Sequence, residues 1–119
     1  MWGWADAAAV LRDLRSRISS PVVALAGRDG RLIAAAALSE LPAETIAVLC
    51  ATIVGAAGAV SEGLARSPPT RVVVEGSDSC VLMIAVGRER FLTVVADRAD
   101  EVGPMLGEIE RFAGVLASI

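Results

Sequence analysis

Apolar residues fall along this chain in patterns whose period switches between that of a helix and that of a strand. Trp4, Ala7, Leu11, Leu14 and Ile18 stand three and four apart, as on one face of a helix. Arg12, Asp13, Arg15 and Arg17 mostly face elsewhere. The spacing predicts a helix over Ala5–Ile18, with Asp6 as its N-cap and Ser19-Ser20-Pro21 as its stop. Two short apolar runs follow, VVALAG and LIAAAAL, separated by RDGR. Asp29-Gly30 between such runs predicts a hairpin, because a tight turn needs residues that tolerate positive φ. Strands are expected at Val22–Ala26 and Arg31–Ala36.

Ser39-Glu40-Leu41-Pro42 then opens a second helix, expected over Ala43–Ala65 and stopped by Ser67-Pro68-Pro69. Glu44 suits the first turn, where the helix dipole favours an acid. Three more strands are predicted at Arg71–Glu75, Cys80–Val86 and Phe91–Ala96, with Gly76-Ser77-Asp78 and Gly87-Arg88-Glu89-Arg90 as turns. A closing helix over Pro104–Ala117 carries Met105, Ile109, Phe112 and Leu116 as its stripe. The order is α-β-β-α-β-β-β-α in one domain spanning residues 1–119. All strand connections but one are hairpins. The fold class is therefore α+β, a mainly antiparallel five-stranded sheet with helices packed on it.

The second helix is unusual. TIAVLCATIVGAAGAVS runs for seventeen residues without a charge. On a helical wheel Ile46, Leu49, Ile53, Val60 and Leu64 form one arc, read as the face lying on the sheet. Ala47, Ala51, Gly55, Gly58 and Ala59 form the opposite side, with Glu44 and Glu62 at its ends. Gly in a helix interior costs about 1 kcal/mol against Ala, so Gly55, Gly58 and Gly63 want a reason. Three readings compete: a membrane span, burial within the monomer, and a subunit interface. The span is short, its flanks are acidic, and no excess of positive charge sets a topology. Burial on both sides would need helices already required over the sheet. The favoured reading is an interface in which small residues let two helix backbones approach closely. RVVVE at Arg71–Glu75 agrees if it is an edge strand, since such an apolar strand without Pro or inward charge would be open to pairing.

Composition narrows the chemistry. The chain has 119 residues, 55% hydrophobic and 21% charged, which fits a packed domain. Its pI near 4.9 argues against nucleic acid. There is no His and no Tyr, and all eleven basic residues are Arg. Ser–His and Cys–His nucleophiles are thus excluded within this chain, and His-ligated zinc with them. Cys50 and Cys80 make no paired-ligand spacing and read as reduced core thiols. MWGWADAAAV lacks a basic region followed by a long apolar run, so no signal peptide is expected and the location is read as cytoplasmic. Asp97, Asp100 and Glu101 read as acids at a helix start. The Gly27–Gly30 stretch is a turn and lacks the spacing of a phosphate loop. No cofactor and no metal are expected.

Element order and residues resemble the Roadblock family of dynein light chains and GTPase regulators, in its prokaryotic, gliding-motility form. VVALAGRDGRLIAAAA, the Ala/Gly helix after LPAE, and RVVVEGSDSCVLMIAVGRERFLTVVA carry the resemblance. It covers about Ala5 to Ile119; profilin-like and longin-like domains share much of it. The resemblance implies the long helix on one sheet face and the terminal helices on the other. It implies a homodimer, or a heterodimer with a Roadblock paralogue, built from the long helix and the strand after it. It also implies a non-enzymatic scaffold or regulator that binds a small Ras-like GTPase. The candidate interface residues are Ala47, Ala51, Gly55, Gly58, Ala59, Glu62, Arg71, Val72 and Val74. Arg28, Arg31, Arg66 and Arg71 are the arginines to test as a finger on a GTPase, a role arginine can fill in trans, although the resemblance requires none. The alternative is a small-ligand sensor or structural adaptor on a profilin-like or GAF-like sheet, which would need an apolar pocket with convergent polar groups.

Overall fold

The computed structural model describes residues 4–37 and 42–119. Ser39, Glu40 and Leu41, expected to open the long helix, and the side chain of Trp4 lie outside the described residues. Helix α1 spans Trp4–Ile18, β1 Val22–Gly27, β2 Leu32–Ala37, α2 Ala43–Gly63, β3 Arg71–Glu75, β4 Cys80–Val86 and β5 Arg90–Ala96. A 3-10 turn over Ala99–Glu101 leads into α3, Val102–Ala117. The expected order holds, with ends shifted by a residue or two. Asp6 lies inside the first turn of α1 and is not its cap, because the helix begins at Trp4.

All pairings are antiparallel, and the strand order is β2-β1-β5-β4-β3. β5 sits at the centre, and β2 and β3 are the two edges. The sheet divides the core. On one side Leu11 and Leu14 of α1 and Ile109, Phe112 and Leu116 of α3 meet Leu25, Leu82, Leu92 and Val94. On the other, Ala47, Cys50 and Val54 of α2 meet Ala26, Met83 and Phe91. Alternation along β4 and β5 feeds the two layers in turn, as a strand buried on both faces must.

Three backbone details fix the frame. Gly30 adopts φ +90 in the β1–β2 turn, and the Asp29 carboxylate accepts the Arg31 N–H at 3.0 Å. The turn is wider than a two-residue hairpin, closing from Gly27 N–H to Arg31 carbonyl at 2.9 Å. The buried Ser20 hydroxyl accepts the Val22 N–H and donates to the Val95 carbonyl, tying the α1–β1 corner to β5. α2 ends at Gly63, before the expected Ala65. Arg66 N–H bonds the Ser61 carbonyl and Ala65 N–H the Glu62 carbonyl, with Ala65 left-handed at φ 55. This is a Schellman closure with alanine where glycine is usual.

Both cysteines are buried and free. Burial pushes the Cys50 thiol up, partly offset by the neighbouring Thr93 hydroxyl. Thr93 Oγ1 is itself buried without a hydrogen-bond partner among the described residues. Burial and then the nearby Glu75 charge raise the Cys80 thiol.

Candidate functional site

α2 is the helix that the fold leaves uncovered. Its residues buried on the sheet are Ala47, Cys50 and Val54, all in its first twelve positions. Val48, Leu49, Val60 and Leu64 are 54%, 58%, 62% and 67% exposed, whereas Ala47 is 1% exposed. The helix is therefore turned by roughly 100° from the wheel expected on sequence grounds. Leu49, Val60 and Leu64, read as core, face outward, whereas Ile46 and Ile53 of the same arc are half-buried against the α2 layer of the core as expected. Ala47, read as interface, lies under the helix and cannot touch a partner.

The reason is complementarity of size. The sheet presents large side chains, Phe91 and Met83, beneath α2. A close-packed layer then needs small residues above them, and Ala47 and Cys50 let the helix sit low. Ala51 is half-buried for the same reason, and Gly58 is intermediate. The larger apolar residues are left for the outside. The β1–β2 turn also abuts the helix, since a Cβ at Gly30 would lie 3.6 Å from Val48 Cα.

The remaining sequence candidates divide. Gly55, Ala59 and Glu62 are exposed. A Cβ added at Gly55, Gly58 or Gly63 would meet nothing within 4 Å. The glycines of α2 are thus not required by packing within this chain. Thr52, polar on the exposed strip, donates its hydroxyl to the Val48 carbonyl at 3.0 Å and so needs no water. The strip formed by Val48, Leu49, Thr52, Ala56, Ala59 and Val60 is consequently dry in character. Sequence reasoning missed Val48, Leu49 and Val60 as surface residues. Their signal was present in the charge-free run itself, which leaves no polar side for solvent.

β3 is an edge strand, the condition under which its apolar sequence is open to pairing. Val72 packs into the α2 layer, so Val74 lies on the same side, and Val73 on the other. Val73 and Val74 are 49% and 42% exposed. Arg71 points away from α2, donating to Glu110 of α3 at 3.2 Å. It is separated from the other interface candidates by the thickness of the sheet. Arg66 lies beyond the end of α2 and is exposed. Arg28 and Arg31 come together at the opposite hairpin end. Asp100 is held bidentately by Arg98 in the turn before α3.

α2 is long and apolar enough to cross a membrane, with a mean hydropathy of 1.8 over its best window. Its N-terminal half, however, forms one layer of the core with Phe91 and Met83. Inserting it would strip that layer, so the membrane reading conflicts with the packing.

The profile of the Roadblock/LC7 domain matches residues 21–96. A comparison with curated protein sequences found no match. Among solved structures, Myxococcus xanthus MglB superposes with a TM-score of 0.90 at 23% identity, covering 99% of this chain and 91% of that one. A structure described as MglB with tetrameric arrangement gives 0.83 at 22% identity, over 99% and 91%. Acanthamoeba castellanii profilin IB gives 0.66 at 17% identity, over 98% of each chain. At these identities the likeness is one of fold. The matched profile runs from the first strand through the fifth, taking in the exposed helix and the free edge, and the chain belongs to the Roadblock/LC7 domain family.

Proposed function

We propose that this chain is a non-enzymatic, dimeric regulator or scaffold that works in the cytoplasm by binding a small Ras-like GTPase. The observation that carries the reading is the uncovered apolar strip of α2 beside an unpaired edge strand. Exposed apolar surface of this kind marks an interface in a soluble protein. A second copy can cover both features at once: strand against strand at β3, and helix against helix at Thr52, Ala56 and Ala59. A two-fold axis makes the contact self-complementary without any change of sequence. A Roadblock paralogue with the same surface would fit as well.

The interface reading keeps Gly55, Ala59, Val72 and Val74 from the sequence candidates and adds Val48, Leu49 and Val60. Family membership supports the GTPase partner, because Roadblock domains are GTPase-regulator modules. A dimer presents paired α2 helices as a platform broader than one monomer offers. The chain supplies no His or Tyr for proton transfer, which fits a role in positioning the partner's own residues. The test is binding and turnover with a purified Ras-like GTPase loaded with GDP or with a non-hydrolysable GTP analogue. Preference for one nucleotide state, or a changed hydrolysis rate, supports regulation. Equal, immeasurable binding to both states would remove the GTPase reading.

A further inference from the structure

At the end of the sheet carrying the β1–β2 and β4–β5 turns, a cavity of about 440 Å³ is lined by Gly27, Arg28, Arg31, Ile33, Arg88 and Arg90. We propose that this cavity binds a multiply charged phosphate group, a diphosphate or the phosphates of a small metabolite. Four arginines line it together with two acids, Asp29 and Glu89, in a chain whose net charge is −3. Asp29 is already committed to the Arg31 N–H. Elsewhere in the molecule Arg17, Arg71, Arg98 and Arg111 each pair with an acid, whereas Arg12, Arg15 and Arg66 show no such pair among the described residues. Among the described residues none of the four cavity arginines makes such a pair.

The placement is set by the fold. Arg28 N–H bonds the Glu89 carbonyl at 2.8 Å, locking the two turns together. Phe91 and Leu32 point toward α2, so Arg90 and Ile33 project from the other face. The cavity therefore lies on the opposite side of the sheet from the exposed strip of α2. Gly27 makes room for the Asp29 carboxylate, which lies where a Cβ would stand, and Ile33 supplies an apolar wall. Arginine presents a planar fork of donors matched to phosphate oxygens, and several together favour a ligand with more than one negative charge. The cavity's volume is that of a small-molecule site, and it is bordered by two turns and open to solvent.

The test is calorimetric titration of the full chain with inorganic pyrophosphate at low salt, with ADP and citrate as comparators. Pyrophosphate should bind in the micromolar range, and Arg28→Gln with Arg88→Gln should weaken it by at least about tenfold. The variant's thermal midpoint and solution mass should not change, since both side chains are exposed and, although Arg28 reaches Val54 of α2, neither belongs to the exposed strip of that helix. ADP binding as well as pyrophosphate would identify the diphosphate as the recognised group. Tighter ADP binding would identify a nucleotide source. Either supports the site. No heat and no midpoint shift at millimolar pyrophosphate would overturn it. So would equal binding of citrate, which reports charge alone, or an unchanged affinity in the double variant. Because the readout is ligand affinity, failure of the dimer reading leaves this result intact.

Discussion

Leu49→Ala separates a residue that merely sits on a surface from one that a second copy covers. Leu49 is 58% exposed in the single chain. Full burial of a leucine is worth about 1.5–3 kcal/mol, so the part still open to water corresponds to about 1–1.7 kcal/mol. A symmetric dimer contains the residue twice, which makes the loss about 2–3.5 kcal/mol per dimer. At 1.4 kcal/mol per decade, the dimer dissociation constant should rise roughly 30- to 300-fold. The monomer should not suffer, because an exposed helical Leu→Ala change lies within about 0.5 kcal/mol and alanine is the best helix former. Sedimentation equilibrium of wild type and variant over a range of loading concentrations reads the constant directly. Urea denaturation below the dissociation point reads the monomer. An unchanged dissociation constant would refute the claim that this face is covered. A large loss of monomer stability would refute the orientation of α2 on which the claim rests.

Other changes probe separate parts of the account. A Cβ at Gly55 meets no atom within 4 Å in the single chain, so the monomer should tolerate Gly55→Leu and gain helix propensity of about 1 kcal/mol. The dimer should weaken, as light scattering on dilution would report. Ala65→Gly relieves a left-handed alanine at φ 55 and should raise the urea midpoint, by about 1 kcal/mol. Phe91→Ala removes the floor beneath α2 and should lower stability by about 3–5 kcal/mol in the same assay. Both thiols are raised above their ordinary 9.0. The folded chain therefore holds protons that the unfolded chain gives up near pH 9, and stability falls as pH climbs from there. The chain has no Tyr and no Lys, so beyond the α-amino group the thiols alone shape that limb. Stability measured from pH 8 to 11 should fall less in a Cys50→Ala/Cys80→Ala variant.

The architecture was legible because its signals are local. Asp29-Gly30, the Pro-rich stop after α2 and the alternation of β4 and β5 each act within a few residues. The pairing hazard of β3, were it an edge, was legible too, from a strand without charge or proline in its middle. The orientation of α2 was not. A wheel ranks faces by apolarity, and on this helix nearly every face is apolar. What decides the orientation is the size of the side chains beneath it. Phe91 and Met83 come from β5 and β4, some thirty to forty residues further along. Their demand for small partners placed Ala47 and Cys50 inward against the wheel's preference for Leu49 and Val60. The arginine cavity was likewise invisible. Arg28 and Arg31 stand in one turn and Arg88 and Arg90 in another, and only the pairing of β1 with β5 brings them together.

The central claim is that a second copy covers the exposed strip of α2 and the edge of β3. Solution mass by light scattering during size-exclusion chromatography, over a range of dilutions, tests it most directly. The account predicts a mass of twice 12.2 kDa that persists to micromolar concentration. A mass of 12.2 kDa at every concentration would contradict it.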